Sequence, residues 1–174
     1  MPRLPLLLLI CVTLTVFLPS LVRSQAFLPD GVAPMEFGRD TLVINTDRGR
    51  FEYDIEVAIT PEQQARGMMW RPVLGPNKGL LFIFERERSV TFWMRNTLIP
   101  LDMIFIDNAG KLVSIQREAE PLTTTKRPSN GPARFTLEID GGAAALMNIN
   151  ETTTFEFGTA TLSYLAASSS PFKG

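Results

Sequence analysis

The alternation of apolar and polar residues is clearest from residue 51, where Phe51, Tyr53, Ile55, Val57 and Ile59 interleave with Glu52, Asp54, Glu56 and Ala58. A period of two is that of a β-strand with one face turned to water. Residues 41–45 read as a shorter strand, and Asp47-Arg48-Gly49 joins the two as a turn with Gly placed for a positive φ. At Thr60-Pro61-Glu62-Gln63 the period changes. Thr is a good N-cap, Pro suits the first helical position, and Gln three residues on can close a capping box, so a helix of about two turns is expected to run to Arg66 and stop at Gly67.

Prolines and glycines make residues 69–78 a loop from which Trp70 and Arg71 project. Residues 79–85 resume as a strand, and 85–88 read as a solvated turn of alternating charge. Residues 89–115 hold some of the most hydrophobic sequence in the chain. Two runs, 92–94 and 101–107, are apolar on both faces and flank a polar turn ended by Pro100; a third follows Asn108-Ala109-Gly110. Strands apolar on both faces belong in the middle of a sheet system. The Ile99-Pro100 bond imposes an extended or turn conformation.

Residues 121–132 form a polar loop, long enough to be a mobile flap over one end. Arg134, Thr136, Glu138 and Asp140 then alternate with Phe135, Leu137 and Ile139, which predicts another strand with a wet face. Gly141-Gly142 breaks it, 143–147 make a turn or two of helix, 152–157 are the last strand, and the tail to residue 174 is expected to fray. The fold class is therefore mainly β: a compact antiparallel β-barrel or sandwich of about seven strands with two short helices, since a parallel sheet would need longer crossover helices.

Composition narrows the chemistry. Arg3 followed by the apolar run 4–18 and small residues near 22–26 has the form of a signal peptide, with the mature chain starting near Gln25 or Phe27. The run is only about 15 residues, short of the roughly 20 that a spanning helix needs. The domain plan is thus 1–24 signal peptide, 25–39 linker or surface strap, 40–158 β domain, and 159–174 flexible tail. The only Cys, Cys11, leaves with the signal, and there is no His. Disulfides, Cys nucleophiles, His bases and Cys/His zinc sites are excluded from the mature chain. Of 17 Lys and Arg, Arg3 and Arg23 also leave, so 15 basic residues face 18 acidic ones, a net charge of −3. That is no charge for a nucleic-acid partner. The expected setting is periplasmic or secreted, with no membrane contact after cleavage.

Several motifs carry a family resemblance: Arg66-Gly67-Met68 at the helix end, Gly79-Leu80-Leu81-Phe82, the run from Phe92 to Asp102 (FWMRNTLIPLD), and Phe135-Thr136-Leu137-Glu138-Ile139 with Gly141. Over roughly residues 42–157 the chain resembles the DUF192 family, also called UPF0127, of small and often exported bacterial proteins whose biochemical function is not established. The resemblance implies a compact, mostly antiparallel β structure. Leu80 stands where a Met is more usual, a conservative departure.

The candidate site is a polar cluster set in apolar sequence: Arg95, Asn96, Thr97 and Asp102, joined by Glu138 from another strand. An ionised Asp beside apolar strands must be held by a cation or by N–H donors. Arg95 or the turn amides of 96–98 are the expected partners. In the structural reading Asp102 staples the 97–100 turn; in the functional one the cluster lines a pocket for a small polar ligand or meets an envelope protein, with Trp70 a loop contact. A carboxylate pair of Asp102 and Glu138 would instead suit a hydrolase, glycosidase-like. Met68, Met69, Trp70, Trp93 and Met94 could offer soft ligands to Cu(I), but such residues more often fill a core. No catalytic residue, metal or cofactor is assigned.

Overall fold

The computed structural model describes residues 28–169. The expected signal peptide and its cleavage site lie outside the described residues, as does the end of the tail. The elements in order are β1 (Gly38–Thr46), β2 (Gly49–Ala58), α1 (Pro61–Arg66), β3 (Lys78–Phe92), β4 (Leu101–Ile106), β5 (Leu112–Ala119), β6 (Arg127–Asp140), α2 (Ala143–Leu146), β7 (Thr154–Phe157) and α3 (Thr159–Ser169). The seven strands make one sheet in the order β5-β4-β6-β3-β2-β1-β7, curled into a half-barrel. The mainly β class is as expected.

Local signals placed most elements. Thr60 caps α1 by accepting the Gln63 amide at 3.3 Å, while Gln63 Oε1 accepts the Thr60 amide at 3.0 Å, so the capping box is complete. The β1–β2 hairpin turns at Gly49, whose φ is 134°, and the β4–β5 hairpin at Gly110, φ 75°. Both faces of the sheet are covered. One carries Leu42, Ile44, Ile55, Leu81, Ile104 and Leu137, closed by α2 and by Tyr164 and Leu165 of α3. The other carries Met68, Leu80, Phe82, Met94, Met103 and Phe105. The six residues of β4 are accordingly all buried.

Several expectations are corrected. Strands β2 and β3 pair in parallel, because the connection at 59–77 is long enough to cross back although its helix is short. Residues 85–88 are not a turn: β3 continues through them with a register shift between Ile83 and Arg88. The shift bends the strand sharply. Ten residues of straight strand would part Phe82 and Phe92 by about 33 Å, yet their ring centroids lie 4.9 Å apart, edge to face. The segment 121–132 is not simply a flap, since β6 begins at Arg127 and pairs with the far half of β3, with Ser129 Oγ accepting the Val90 amide at 3.1 Å. Finally, the expected loose tail is helical over Thr159–Ser169, where the Thr161 amide donates to Asp40 Oδ2 at 2.8 Å.

The polar face of β6 is not wet. Arg134, Thr136 and Glu138 are all buried, since β6 lies between β4 and β3 and its register sets Glu138 beside Met103 on one side and Leu80 on the other. Gly79 lets β3 come this close: a Cβ there would fall 2.9 Å from the Glu138 backbone oxygen.

Candidate functional site

The curl of β3 leaves a cavity of about 290 Å³ on the second face of the sheet. Its floor is Glu138. One wall comes from the end of α1 and the residues after it, from Gln64 to Met69; the other comes from the far half of β3 and the chain beyond, including Arg88, Phe92, Trp93 and Arg95. Gln64 fixes the first wall to the sheet, its Nε2 donating to the carbonyls of Ile59 at 3.1 Å and Ile83 at 2.9 Å. The strap at 28–37 holds that wall from outside, through Arg66 Nη2 to the Ala33 carbonyl and Gln63 Nε2 to the Glu36 carbonyl, each at 2.9 Å.

Gly67 keeps the inner end open. It has a φ of 49°, and a Cβ would lie 3.4 Å from Phe82 Cζ and 3.9 Å from Glu138 Oε2. A side chain there would sit in the space over the carboxyl group.

Glu138 is 4 % exposed, and its Oε2 has no hydrogen-bond partner. Burial pushes its carboxyl up to about 8, opposed by the Arg71 guanidinium. Arg71 is itself committed to an ion pair with Glu56 and stacks over Phe37. At neutral pH Glu138 is therefore a protonated acid, able to donate a hydrogen bond into the cavity as well as accept one.

The expected polar cluster is divided by the sheet. Paired residues on neighbouring strands share a face; Asp102 is in register with Ile139, and Glu138 with Met103. Asp102 and Glu138 thus project from opposite faces, and the proposed carboxylate pair does not form. Asp102 is fully buried and accepts two amides, Glu118 N at 2.7 Å through Oδ1 and Ala144 N at 2.8 Å through Oδ2. The first fills a bulge in the β4–β5 pairing, where Glu118 has a φ of 45°; the second caps α2, whose N-cap Gly142 has no side chain to offer. Neither Arg95 nor the amides of 96–98 hold Asp102. Tyr53 shares its environment: burial, then the charges of Asp140 and Asp102, push the Tyr53 hydroxyl up to about 12.

The turn at 94–97 is held by backbone instead. Asn96, at φ 59°, accepts the Trp70 amide at 2.8 Å; Met94 donates to Thr123, and Leu122 to Thr97. Trp70 thereby fixes the loop but does not line the cavity; the indole that does is Trp93, 50 % exposed, with the Arg95 guanidinium 4.9 Å above its ring. Of the residues singled out by sequence, Arg95, Thr97, Glu138, Met68, Met69 and Trp93 line the cavity, and Asn96, Trp70, Asp102 and Met94 do not. Met94 is a core side chain, and Met68 belongs both to that core and to the cavity wall. No group of three or more His, Cys, Asp or Glu converges among the described residues.

Sequence reasoning missed Gly67, Phe82, Arg88 and Trp93 as wall residues. The available signal was the charged run at 85–88, set between two apolar stretches with no Gly or Pro to turn the chain.

Comparison with known proteins places the fold in a group. The family model DUF192, described as an uncharacterized ACR, matches residues 43–157. The chain belongs to this family. Among solved structures, the DUF192 fold is shared with a protein of unknown function from Novosphingobium aromaticivorans DSM 12444, 34% identical, with a TM-score of 0.67, covering 75% of this chain and 94% of that one. It is shared also with a proposed transcription regulator from Sinorhizobium meliloti 1021, 28% identical, with a TM-score of 0.68, covering 72% of this chain and 98% of that one. No curated protein matches the chain. Among the described residues of this DUF192 protein no helix is long and apolar enough to cross a membrane.

Proposed function

We propose that this DUF192 protein is an exported binding module, of the periplasm or cell surroundings, that takes a small polar ligand into the cavity over Glu138. The observation that carries the reading is the unpartnered Glu138 Oε2, buried at the floor of an accessible cavity. Leaving a buried polar atom unpaired costs about 1–3 kcal/mol. A desolvated carboxyl in a cleft, with its proton held to about pH 8, is the kind of group that marks a functional site. The alternative of a glycosidase-like hydrolase needs a second carboxyl within about 5–10 Å, and among the described residues Glu138 is the one acidic side chain lining the cavity.

Export rests on the pattern of residues 1–24. N-terminal sequencing of the protein recovered from an envelope extract is expected to start between residues 24 and 27; full-length chain held in the membrane fraction would refute export.

For the cavity, a thermal-shift screen of sugars, peptidoglycan fragments and small organic acids and amides is expected to find stabilising compounds, by roughly 2.7 kcal/mol at a hundredfold excess over the dissociation constant. Trp93→Ala, a truncation at a half-exposed position, should leave the unliganded melting temperature unchanged and diminish the shift. Compounds that stabilise the parent and Trp93→Ala equally would put the site elsewhere.

A further inference from the structure

The cavity combines three features that select among polar ligands. Among the described residues its lining holds three guanidinium groups, Arg66, Arg88 and Arg95, and a single carboxyl, Glu138. None of the three arginines is paired with a carboxylate among the described residues. The guanidinium carbons of Arg88 and Arg95 lie over the rings of Phe84 and Trp93, each 4.9 Å from the centroid. A cation held over a ring is attracted by the π face and spends no N–H donor on a carboxylate. Between this cationic mouth and the Glu138 floor the walls are apolar, built from Phe82, Phe92 and Met68. At about 290 Å³ the space is at the small end of ligand pockets.

We infer that the cavity binds small organic carboxylates: the ligand carboxylate at Arg88 and Arg95, an apolar ring or chain against Phe82 and Phe92, and an oxygen at the far end accepting a hydrogen bond from Glu138. The inference rests on the binding reading above and adds the ligand's charge and polarity. Arginine forks match a carboxylate edge to edge, and a cleft lined by one sign of charge concentrates the opposite one. Because burial keeps Glu138 protonated at neutral pH, the floor does not repel an anion and supplies a donor, while a cationic ligand would meet three positive charges on its way in. The other charge acting on Glu138, Arg71, has the same sign.

Three probes share a ring and a para-hydroxyl and differ only at the head group: 4-hydroxyphenylacetate, 4-hydroxyphenylacetamide and tyramine. Calorimetric titration of the mature chain at pH 7 and low salt is expected to rank them in that order, the carboxylate binding about tenfold more tightly than the amide. In Arg88→Ala/Arg95→Ala, two exposed positions, the advantage of the carboxylate should fall below about threefold, with the amide's affinity little changed and the melting temperature retained. Added salt should weaken the carboxylate alone. An amide or amine that binds as well as the carboxylate overturns the anion inference and leaves the cavity standing as a binding site. A carboxylate preference that survives in the double variant overturns it too, since the anion is then held elsewhere. Failure of all three probes at millimolar concentration overturns the carboxylate inference, and the binding reading falls only if the thermal-shift screen also finds no stabilising compound.

Discussion

Asp102→Ala will lower the stability of the folded domain by about 3–5 kcal/mol, read as a fall in the urea midpoint with the slope unchanged. Asp102 is 0 % exposed and holds two amides: Glu118 N at the β4–β5 bulge and Ala144 N in the first turn of α2. Hydrogen bonds to a charged acceptor contribute about 1.5–3 kcal/mol each, and a buried donor left unpaired loses its full desolvation cost. The same side chain ties α2 to the β5 edge, so its loss should loosen both together. Asp102→Asn should rescue little. An amide keeps one oxygen and turns an NH2 donor toward the second N–H, so one of the two contacts becomes donor against donor. A midpoint unchanged in the alanine variant, or full stability in the asparagine one, would show that these two amides do not depend on the carboxylate.

Glu138 will make the protein less stable as pH rises through the neutral range, and Glu138→Gln will remove most of that dependence. In the unfolded chain a Glu releases its proton near pH 4.3; in the folded chain burial raises the carboxyl to about 8. Between these values the folded state binds the additional proton, so raising the pH favours unfolding, by up to about 1.4 kcal/mol per pH unit, and the loss levels off above the folded value. Over the whole window the change is on the order of 3–5 kcal/mol. Asp140, whose carboxyl is also raised by burial, adds a slope of the same sign at the acid end and persists in the variant. Glutamine keeps the shape of the neutral acid, so Glu138→Gln should match the parent near pH 5 and exceed it in stability at pH 8.5. Urea midpoints of the two proteins from pH 5 to 8.5 decide the matter: profiles that run parallel would mean that Glu138 is hydrated and ionised in the folded state, and the protonated floor of the cavity would be lost with it.

What the sequence determined by itself was the set of features whose causes lie within a few residues. The capping box at Thr60 and Gln63, the stop at Gly67, the turns at Gly49 and Gly110, and the alternation along β2 report interactions between near neighbours, and all are found in place. The two-sided apolar run of β4 likewise announced a strand covered on both faces. The tertiary structure alone decided which polar residues are buried. Alternation along β6 marks two unlike faces but does not say that the polar one meets water; the far half of β3, brought back by a bend at 83–88, covers it and leaves Glu138 buried. The sequence placed Asp102 and Glu138 in comparable settings, yet register puts one beneath α2 with two amide donors and the other in a cavity with an unpartnered oxygen. Partners so distant along the chain leave no local trace: the free energy of a buried carboxyl depends on what folds over it, and that is fixed only when strands far apart in sequence come together.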